Sequence, residues 1–478
     1  MGGIDTAHAL QARAGVRSTP HRPARFALLL LLAAALLLTG ALLRPAPAAA
    51  GIDDTIAGAL EAGGLDGPGT AVYVWDLDAA RPVYARNVST QLAPASNMKL
   101  VTSAAAVMGW GAEHRFATEL YGPDVPVADG VVYGDLYLRG LGDPSLSTLP
   151  FQRRELHLTT ASFEAFARSL KREGVKKIQG GVLGDSSWFD KLMTVPSWES
   201  GLRLECGPLS ALSGDQGLDD GNRVKAPAVW AARLMTKALT NAGVKVRGKP
   251  GSGRVPSTSR FVKRQYSAAL PGIIKRMNKE SDNFFAEMLL KGLGKDFYGA
   301  GSTAAGAKAS RAALDACGVE TGTYIIEDGS GLSYGNRLTA QGIVKLLGAM
   351  RQRDDFDVYY ASLAIAGKDG SLEDRMRGTA AAGNAHAKTG TLNIAVCLSG
   401  YVESANDHLV AFSILMNSSF MDWTRATKAQ DAIVVALAEA SLPGAPVLAV
   451  TPVLRQHAVS AIETVHGVGG ALQPVVKP

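Results

Sequence analysis

The sequence predicts an α+β fold, an antiparallel β-sheet flanked by helices and interrupted by an inserted accessory domain. Three observations carry this. Strand-like runs lie at both ends of the chain, at Thr70–Leu77 and Pro82–Arg86 and again at His386–Val402 and Leu409–Met416. Helical periodicity fills the stretches between and after them. A long block over residues 116–254, with strand and helix signals of its own, separates the first cluster of reactive side chains from the second.

The first fifty residues read as a leader. Arg13, Arg17, Arg22 and Arg25 precede an apolar run from Phe26 to Leu43, and Ala48-Ala49-Ala50 offers a small-residue cleavage site. This predicts an exported protein of the periplasm or cell wall, and the run is long enough to anchor it in a membrane if it is retained. Asp53–Leu65 reads as a helix, and Asp78-Ala79-Ala80 as the turn of the first hairpin. Pro94-Ala95-Ser96 opens a helix that runs to about Met108, with Met98, Val101, Ala105 and Met108 on its apolar face.

Within 116–254, Val131–Leu138 alternates like a strand, and Gly142-Asp143-Pro144-Ser145-Leu146 is a turn. Ala161–Arg172 reads as a helix, Gly181–Leu183 as a short strand, and Pro227–Ala242 as a helix ended by Gly243. The split core, 51–115 with 255–440, resumes near Ala268. Ser281-Asp282 precedes the apolar helix Phe284–Leu290, and Ala304–Ala316, Thr339–Arg351 and Trp423–Ala440 are further helices. Residues 441–478, rich in Pro, Val, Ala and Gly without periodicity, read as a loosely held tail.

Composition narrows the function. Of 478 residues, 47% are apolar and 19% charged, so a large packed core is available. Five arginines and one aspartate in the leader account for +4 of the net charge of +6, and the remaining +2 argues for no nucleic-acid partner. Three cysteines, Cys206, Cys317 and Cys397, are too few for a disulfide framework. Their spacing suggests no zinc or haem site, so no metal or cofactor is expected. Asp143 and Asp185 sit beside glycines and read as turn residues. Nothing in the sequence bears on oligomeric state.

Three short motifs carry the chemistry: Ser96-Asn97-Met98-Lys99, Ser281-Asp282-Asn283 and Lys388-Thr389-Gly390-Thr391. Each is weak alone; the first pattern arises by chance about once in a chain of this length. Read singly, they are a capping serine with a surface lysine, a helix cap and a strand start. Together they make a nucleophilic site. Ser96 at a helix start faces unpaired backbone N–H groups that favour an oxyanion. Lys99, three residues on, shares its helix face and can serve as base if burial and a second cation, Lys388, lower its pKa. Ser281 can relay a proton to a leaving amine, and Asn283 can donate to a substrate carbonyl while accepting from Lys99. Asp282 reads as a cap. Gly390 lets a substrate backbone lie against the strand as an added strand, with Thr391 N–H on the oxyanion and the Thr389 hydroxyl or Lys388 on a terminal carboxylate. His386 shares a strand face with Lys388 but reads as a bystander, because Lys99 already supplies a base.

In this order the motifs resemble those of the penicillin-recognising serine enzymes, which have a transpeptidase/β-lactamase-like domain. Longer strings are similar to one branch, the low-molecular-mass class C penicillin-binding proteins, which are D-alanyl-D-alanine carboxypeptidases and endopeptidases. These strings are Pro94-Ala95-Ser96-Asn97-Met98-Lys99-Leu100, Gly142-Asp143-Pro144, and Asp328-Gly329-Ser330-Gly331-Leu332-Ser333 before Asn336-Arg337. A further one, Ala366-Gly367-Lys368-Asp369-Gly370-Ser371-Leu372, leads into Ala387-Lys388-Thr389-Gly390-Thr391-Leu392. The resemblance covers most of 51–440. It implies a periplasmic or cell-wall enzyme that trims peptidoglycan stem peptides and is inhibited by β-lactams. It also implies Ser96 as nucleophile, Lys99 as base, Ser281 and Asn283 as their partners and Lys388 as the third-motif base. The chain departs from the pattern at Tyr334, where a basic residue is expected, and at Ser213-Gly214-Asp215, where an asparagine is. Its insert is shorter than in many members, and the tail has no counterpart.

Two other readings compete. A β-lactamase on a related fold needs a glutamate loop for the deacylating water, and Glu320 and Glu327 lie in the right interval without that context. A wall-binding scaffold with a dead site would be expected to have lost at least one motif residue.

Overall fold

The computed structural model describes residues 51–123 and 129–444. The expected leader, and the tail beyond residue 444, lie outside the described residues. In chain order the elements that build the framework begin with helix α1 (Ile52–Ala62), strands β1 (Thr70–Asp76) and β2 (Arg81–Arg86) and helix α2 (Met98–Trp110). Next come β3 (Ala117–Gly122), β4 (Leu136–Gly140), α3 (Phe163–Arg172), β5 (Val182–Asp185), α4 (Pro227–Asn241), β6 (Gly251–Ser252) and β7 (Arg260–Tyr266). The chain then runs through α5 (Leu270–Lys279), α6 (Asn283–Tyr298), α7 (Thr303–Ala316), α8 (Ala340–Arg351), β8 (Ala364–Ile365), β9 (His386–Leu392), β10 (Ala395–Glu403), β11 (Leu409–Asn417) and α9 (Trp423–Glu439).

The principal sheet has six antiparallel strands in the order β8-β9-β10-β11-β1-β2, so the two ends of the sequence meet at the β11–β1 pair. Helices cover both faces. Ile56 and Leu60 of α1 and Ile433, Val434 and Leu437 of α9 pack over Val72, Val74, Leu398, Phe412 and Ile414. On the other face Leu100 and Val101 of α2 and Ile343 and Leu347 of α8 belong to one core with Cys397, Tyr401, Ala411 and Leu415. Burial on both sides is why β10, buried from Ala395 to Val402, shows no alternation of apolar and charged residues. Helix α2 lies inside this core, with every residue from Met98 to Val107 buried, Lys99 included. The architecture is α+β, as the sequence predicts.

A second, five-stranded sheet, β6-β5-β4-β3-β7, has a core of its own in which Leu120, Leu138 and Val182 meet Phe163, Phe166 and Leu170 of α3 and Met235 and Leu239 of α4. Its last strand, β7, pairs with β3 and so carries this sheet past residue 254, to Tyr266. Sequence patterning misses β7 because it is an edge strand bearing Arg260, Lys263 and Arg264, charges that protect an exposed edge and erase alternation.

Two expected strands are divided. Val131–Leu138 breaks at Gly134, whose φ of +143° lies in glycine territory. Val131–Val132 joins a small parallel sheet, while β4 enters the larger one. His386–Val402 folds back on itself: Leu392 pairs with Ala395 across the two-residue turn Asn393–Ile394, and the apolar Ile394 disguises that turn in the sequence. Cys206, Cys317 and Cys397 are free, buried thiols. No helix among the described residues is long and apolar enough to cross a membrane.

Leu398 is fully buried in the core beneath α1 and α9. Leu398→Ala is expected to lower unfolding free energy by about 2–5 kcal/mol, measured by denaturant titration.

Candidate active site

The turn that carries Ser96 forms where three backbone segments converge. Ala95–Asn97 make a single 3₁₀ turn that leads into α2, and Ala95 adopts a left-handed φ of 47° that a non-glycine residue avoids unless its surroundings impose it. Those surroundings are Gly331 and Gly390. A Cβ on Gly331, itself at φ +89°, would fall 1.9 Å from the Ala95 carbonyl oxygen, and one on Gly390 would sit 3.1 Å from the Ser96 nitrogen. Only glycine permits this approach of the Asp328–Gly331 loop and of strand β9 to the serine.

Lys99 gathers the site. Its Nζ lies 3.0 Å from Ser96 Oγ, 2.7 Å from Asn283 Oδ1 and 2.7 Å from the Ser330 carbonyl oxygen. All three ammonium hydrogens are thereby engaged. The Asn283 Oδ1 faces the lysine because the other half of the amide, Nδ2, donates to the Glu205 carbonyl at 2.9 Å. Two of the three partners are carbonyl oxygens and accept only. When Lys99 is neutral its lone pair therefore falls to the third direction, toward the Ser96 hydroxyl.

Burial pushes the Lys99 pKa down from its ordinary value to about 8, while Asp328, Glu287 and Asp282 pull it up. Of the two expected causes, burial is the one that lowers the Lys99 pKa; Lys388 is not among the groups that shift it. Lys388 is itself fully buried, and burial together with the Lys99 charge holds its ammonium well below the ordinary lysine range. Its Nζ donates to the Thr389 carbonyl at 2.9 Å.

The Ser330 carbonyl is held by a buried carboxylate pair. Asp328 accepts from Gly331 N at 2.8 Å, Ser333 N at 2.6 Å, Asn336 Nδ2 at 2.7 Å and Trp198 Nε1 at 2.8 Å. Glu287, one turn beyond Asn283 on α6, accepts from Gly329 N at 3.0 Å and Ser330 N at 2.7 Å.

In the second motif Ser281 takes a left-handed φ of 56° between α5 and α6, and its hydroxyl has no hydrogen-bond partner among the described residues. Asp282 caps α6 through Phe285 N at 3.1 Å and is itself tied to Gln216 Nε2 at 2.7 Å and Arg276 Nε at 3.2 Å.

In the third motif β8 pairs only with the first two residues of β9, so the edge of β9 beyond Ala387 is not covered by another strand of the sheet. The Thr389 carbonyl on that edge accepts from Lys388. Backbone direction alternates along a strand, so the Thr391 N–H faces the same way. Thr389 Oγ1 donates to Ser371 Oγ at 2.7 Å, which ties the motif to the Gly370–Leu372 turn.

The structure thus brings Ser96, Lys99 and Asn283 into direct contact, and Gly390 against Ser96. His386 stacks on Tyr360 with ring centroids 4.0 Å apart, and burial lowers its pKa. Asp143 closes a turn onto Ser145 N at 2.8 Å, and Asp185 accepts from Ser187 N at 2.8 Å and Val255 N at 2.9 Å. Among the described residues no cluster of His, Cys, Asp and Glu could hold a metal ion.

Sequence reasoning quoted Asp328 and Ser330 only as part of a family-like string, without a role, and missed Glu287, Trp198, Glu205 and Gln216. One signal was available: Glu287 is a lone acid in the apolar run Phe284–Leu290. Trp198, Glu205 and Gln216 lie within 116–254, the block that in sequence only separates the motifs. Here Trp198, Cys206 and Leu209 pack in the catalytic-side core, and Glu205 and Gln216 bond to the second motif. Glu320 pairs with Lys345 at 2.8 Å and Glu327 accepts from Ser333, so neither is among the partners of Ser96 or Lys99.

The model of the D-Ala-D-Ala carboxypeptidase 3 (S13) family matches residues 52–205 and 210–440. A D-alanyl-D-alanine carboxypeptidase of Actinomadura sp. is 33% identical over 462 residues, covering 80% of this chain and 83% of that protein. The crystal structure of penicillin-binding protein 4 (dacB) from Haemophilus influenzae superposes with a TM-score of 0.65 at 21% identity, covering 78% of this chain and 98% of that one. A predatory endopeptidase of Bdellovibrio bacteriovorus, solved with an immunity protein, has the same fold at a TM-score of 0.50 and 20% identity, over 77% of this chain and 90% of that one.

Gly331→Ala is expected to slow acylation of Ser96 by at least about tenfold and to destabilise the fold by about 1–3 kcal/mol, because the added methyl must displace the nucleophile turn. Stopped-flow acylation and thermal melts check both effects.

Proposed function

The chain belongs to the D-Ala-D-Ala carboxypeptidase 3 (S13) family, and from that membership we propose a serine-type D-alanyl-D-alanine carboxypeptidase that trims peptidoglycan stem peptides through an acyl-enzyme on Ser96. One observation carries the assignment of roles: Lys99 touches both the Ser96 hydroxyl and the second-motif amide, with its charge poised near neutrality.

In this reading the substrate lies along the free edge of β9 as an added strand. The Ser96 and Thr391 N–H groups receive the oxyanion of the scissile carbonyl. Neutral Lys99 takes the Ser96 proton as Oγ attacks. The carbon–nitrogen bond of the tetrahedral intermediate then breaks, and the proton held by Lys99 is relayed through the Ser281 hydroxyl to the departing D-alanine amine, which returns Lys99 to its neutral form. Water adds to the ester by the same route in reverse. Lys388 and the Thr389 hydroxyl receive the terminal carboxylate of the substrate. The same cleft accommodates a longer leaving group, which would make the enzyme an endopeptidase as well, and a penicillin enters it as a peptide mimic. The reading places the enzyme outside the cytoplasm, at the periplasm or cell wall, with the run at 26–43 as leader or anchor. A β-lactamase is the weaker reading, since neither Glu320 nor Glu327 reaches the partners of Ser96.

Mass spectrometry on a diacetylated Lys-D-Ala-D-Ala tripeptide should show release of one D-alanine. A penicillin should leave a single persistent adduct on the Ser96 peptide. Ser96→Ala should give no adduct, and Lys99→Ala should acylate about 10²–10⁴-fold more slowly. An adduct elsewhere, or rapid turnover of the penicillin, would contradict the reading.

The pH dependence has a definite sign. Lys99 must be neutral to act, and its pKa lies at about 8, so the acylation rate should fall as pH drops through that value and level off above it. A rate profile between about pH 6 and 10 tests this, and a flat profile would remove Lys99 from the base's role.

A further inference from the structure

Glu287 has no part in the chemistry just described, yet it is fully buried beside it. It sits on α6 one turn beyond Asn283, so its carboxyl enters the site from the same helix face as that amide. One oxygen, Oε1, takes both the Gly329 and Ser330 N–H groups. The other, Oε2, is buried without a hydrogen-bond partner. A buried acceptor left empty costs free energy, and a proton on that oxygen removes the charge that makes the vacancy costly.

We propose that Glu287 is a positioning residue for Lys99. Through the Gly329 and Ser330 amides it sets the Ser330 carbonyl that holds the lysine, and its own charge sets how readily that lysine gives up its proton. The inference rests on the reading of Lys99 as base and deepens it.

The geometry supports two linked effects. The first is placement. Ser330 offers its N–H to Glu287 and its carbonyl to Lys99, both at 2.7 Å, so the residue is clamped between the two side chains. Its following peptide is fixed in turn by Asp328 through Gly331 N. The second is charge. The ionisable groups around this point are Lys99 on α2, Lys388 on β9, Asp282 at the α6 cap, Asp328 in the loop and the Cys206 thiol from the 195–216 segment. Burial, followed by repulsion from Asp328, raises Glu287 to about 8, the range in which Lys99 titrates. A Glu287 carboxylate holds Lys99 in its charged, inactive form, whereas a Glu287 carboxylic acid does not. The pair therefore loses its protons in linked steps rather than as two independent groups.

Two substitutions separate these effects. Glu287→Gln keeps an acceptor oxygen for the two amides but cannot ionise. Glu287→Leu removes both functions. The probe is a fluorescent penicillin, with acylation followed against pH on the full chain and thermal melts to confirm folding. Glu287→Leu is expected to lower the plateau rate at least about tenfold, and Glu287→Gln to lower it less. The acid limb in Glu287→Gln is expected to move to lower pH by about half a unit or more and to fit a single titration. An acid limb in Glu287→Gln that overlays the native one, or moves up, overturns the charge role even if the leucine variant fails to fold. A folded Glu287→Leu with the native plateau overturns the placement role. If Lys99→Ala acylates at the native rate, the underlying assignment of the base fails instead, which is a separate result.

Discussion

A primary ammonium taken out of water is the constraint on which the rest of the site depends. Moving such a charge into a protein interior costs several kcal/mol even after relaxation, so a buried lysine tends to lose its proton. Lys99 is fully buried, and its pKa falls only to about 8 because carboxyl groups stand around it in opposition. Burial without Asp328, Glu287 and Asp282 would push the Lys99 pKa lower still. The acids without burial would leave a permanent cation. The two influences meet in the range where a proton can be taken and returned.

That balance requires a rigid surround, and the fold supplies it by convergence. Four segments distant in sequence, around Ser96, Asn283, Ser330 and Gly390, reach one point. Each is carried by an element that is itself buried: α2, α6, the loop clamped by Asp328 and strand β9. Gly331 and Gly390 are where the backbones come closest, and the left-handed Ala95 records the resulting pressure. A site supported on packed helices and a two-sided sheet keeps its geometry better than one on loops.

The second sheet is less separate than its position in the chain suggests. Its own core is complete, with Phe163, Phe166 and Met235 buried among its strands and helices. The segment between its two helices nevertheless leaves that core and returns to the site, where Trp198 completes the shell of Asp328 and Glu205 fixes the Asn283 amide. Movement of this unit would therefore be felt at the partners of Lys99, which gives the insert a physical connection to chemistry that it does not itself carry.

What the sequence determined is what lies in short stretches of chain. Periodicity and caps located α1 through α4, the first half of α6, α7, α8 and α9 and the β1–β2 hairpin, because those signals come from neighbours within one or two turns. The pairing of Ser96 with Lys99 was legible for the same reason, as was Gly390 as a place of close approach. What only tertiary structure decided depends on groups far apart in sequence. The charged edge strand β7 is a strand because β3 lies beside it. The turn at Asn393–Ile394 exists because β9 and β10 pair. Lys99 is depressed by its complete burial, and Glu287, Asp328 and Trp198 surround the loop that holds it. Burial and long-range hydrogen bonds are properties of the packed chain, so no window of sequence could contain them.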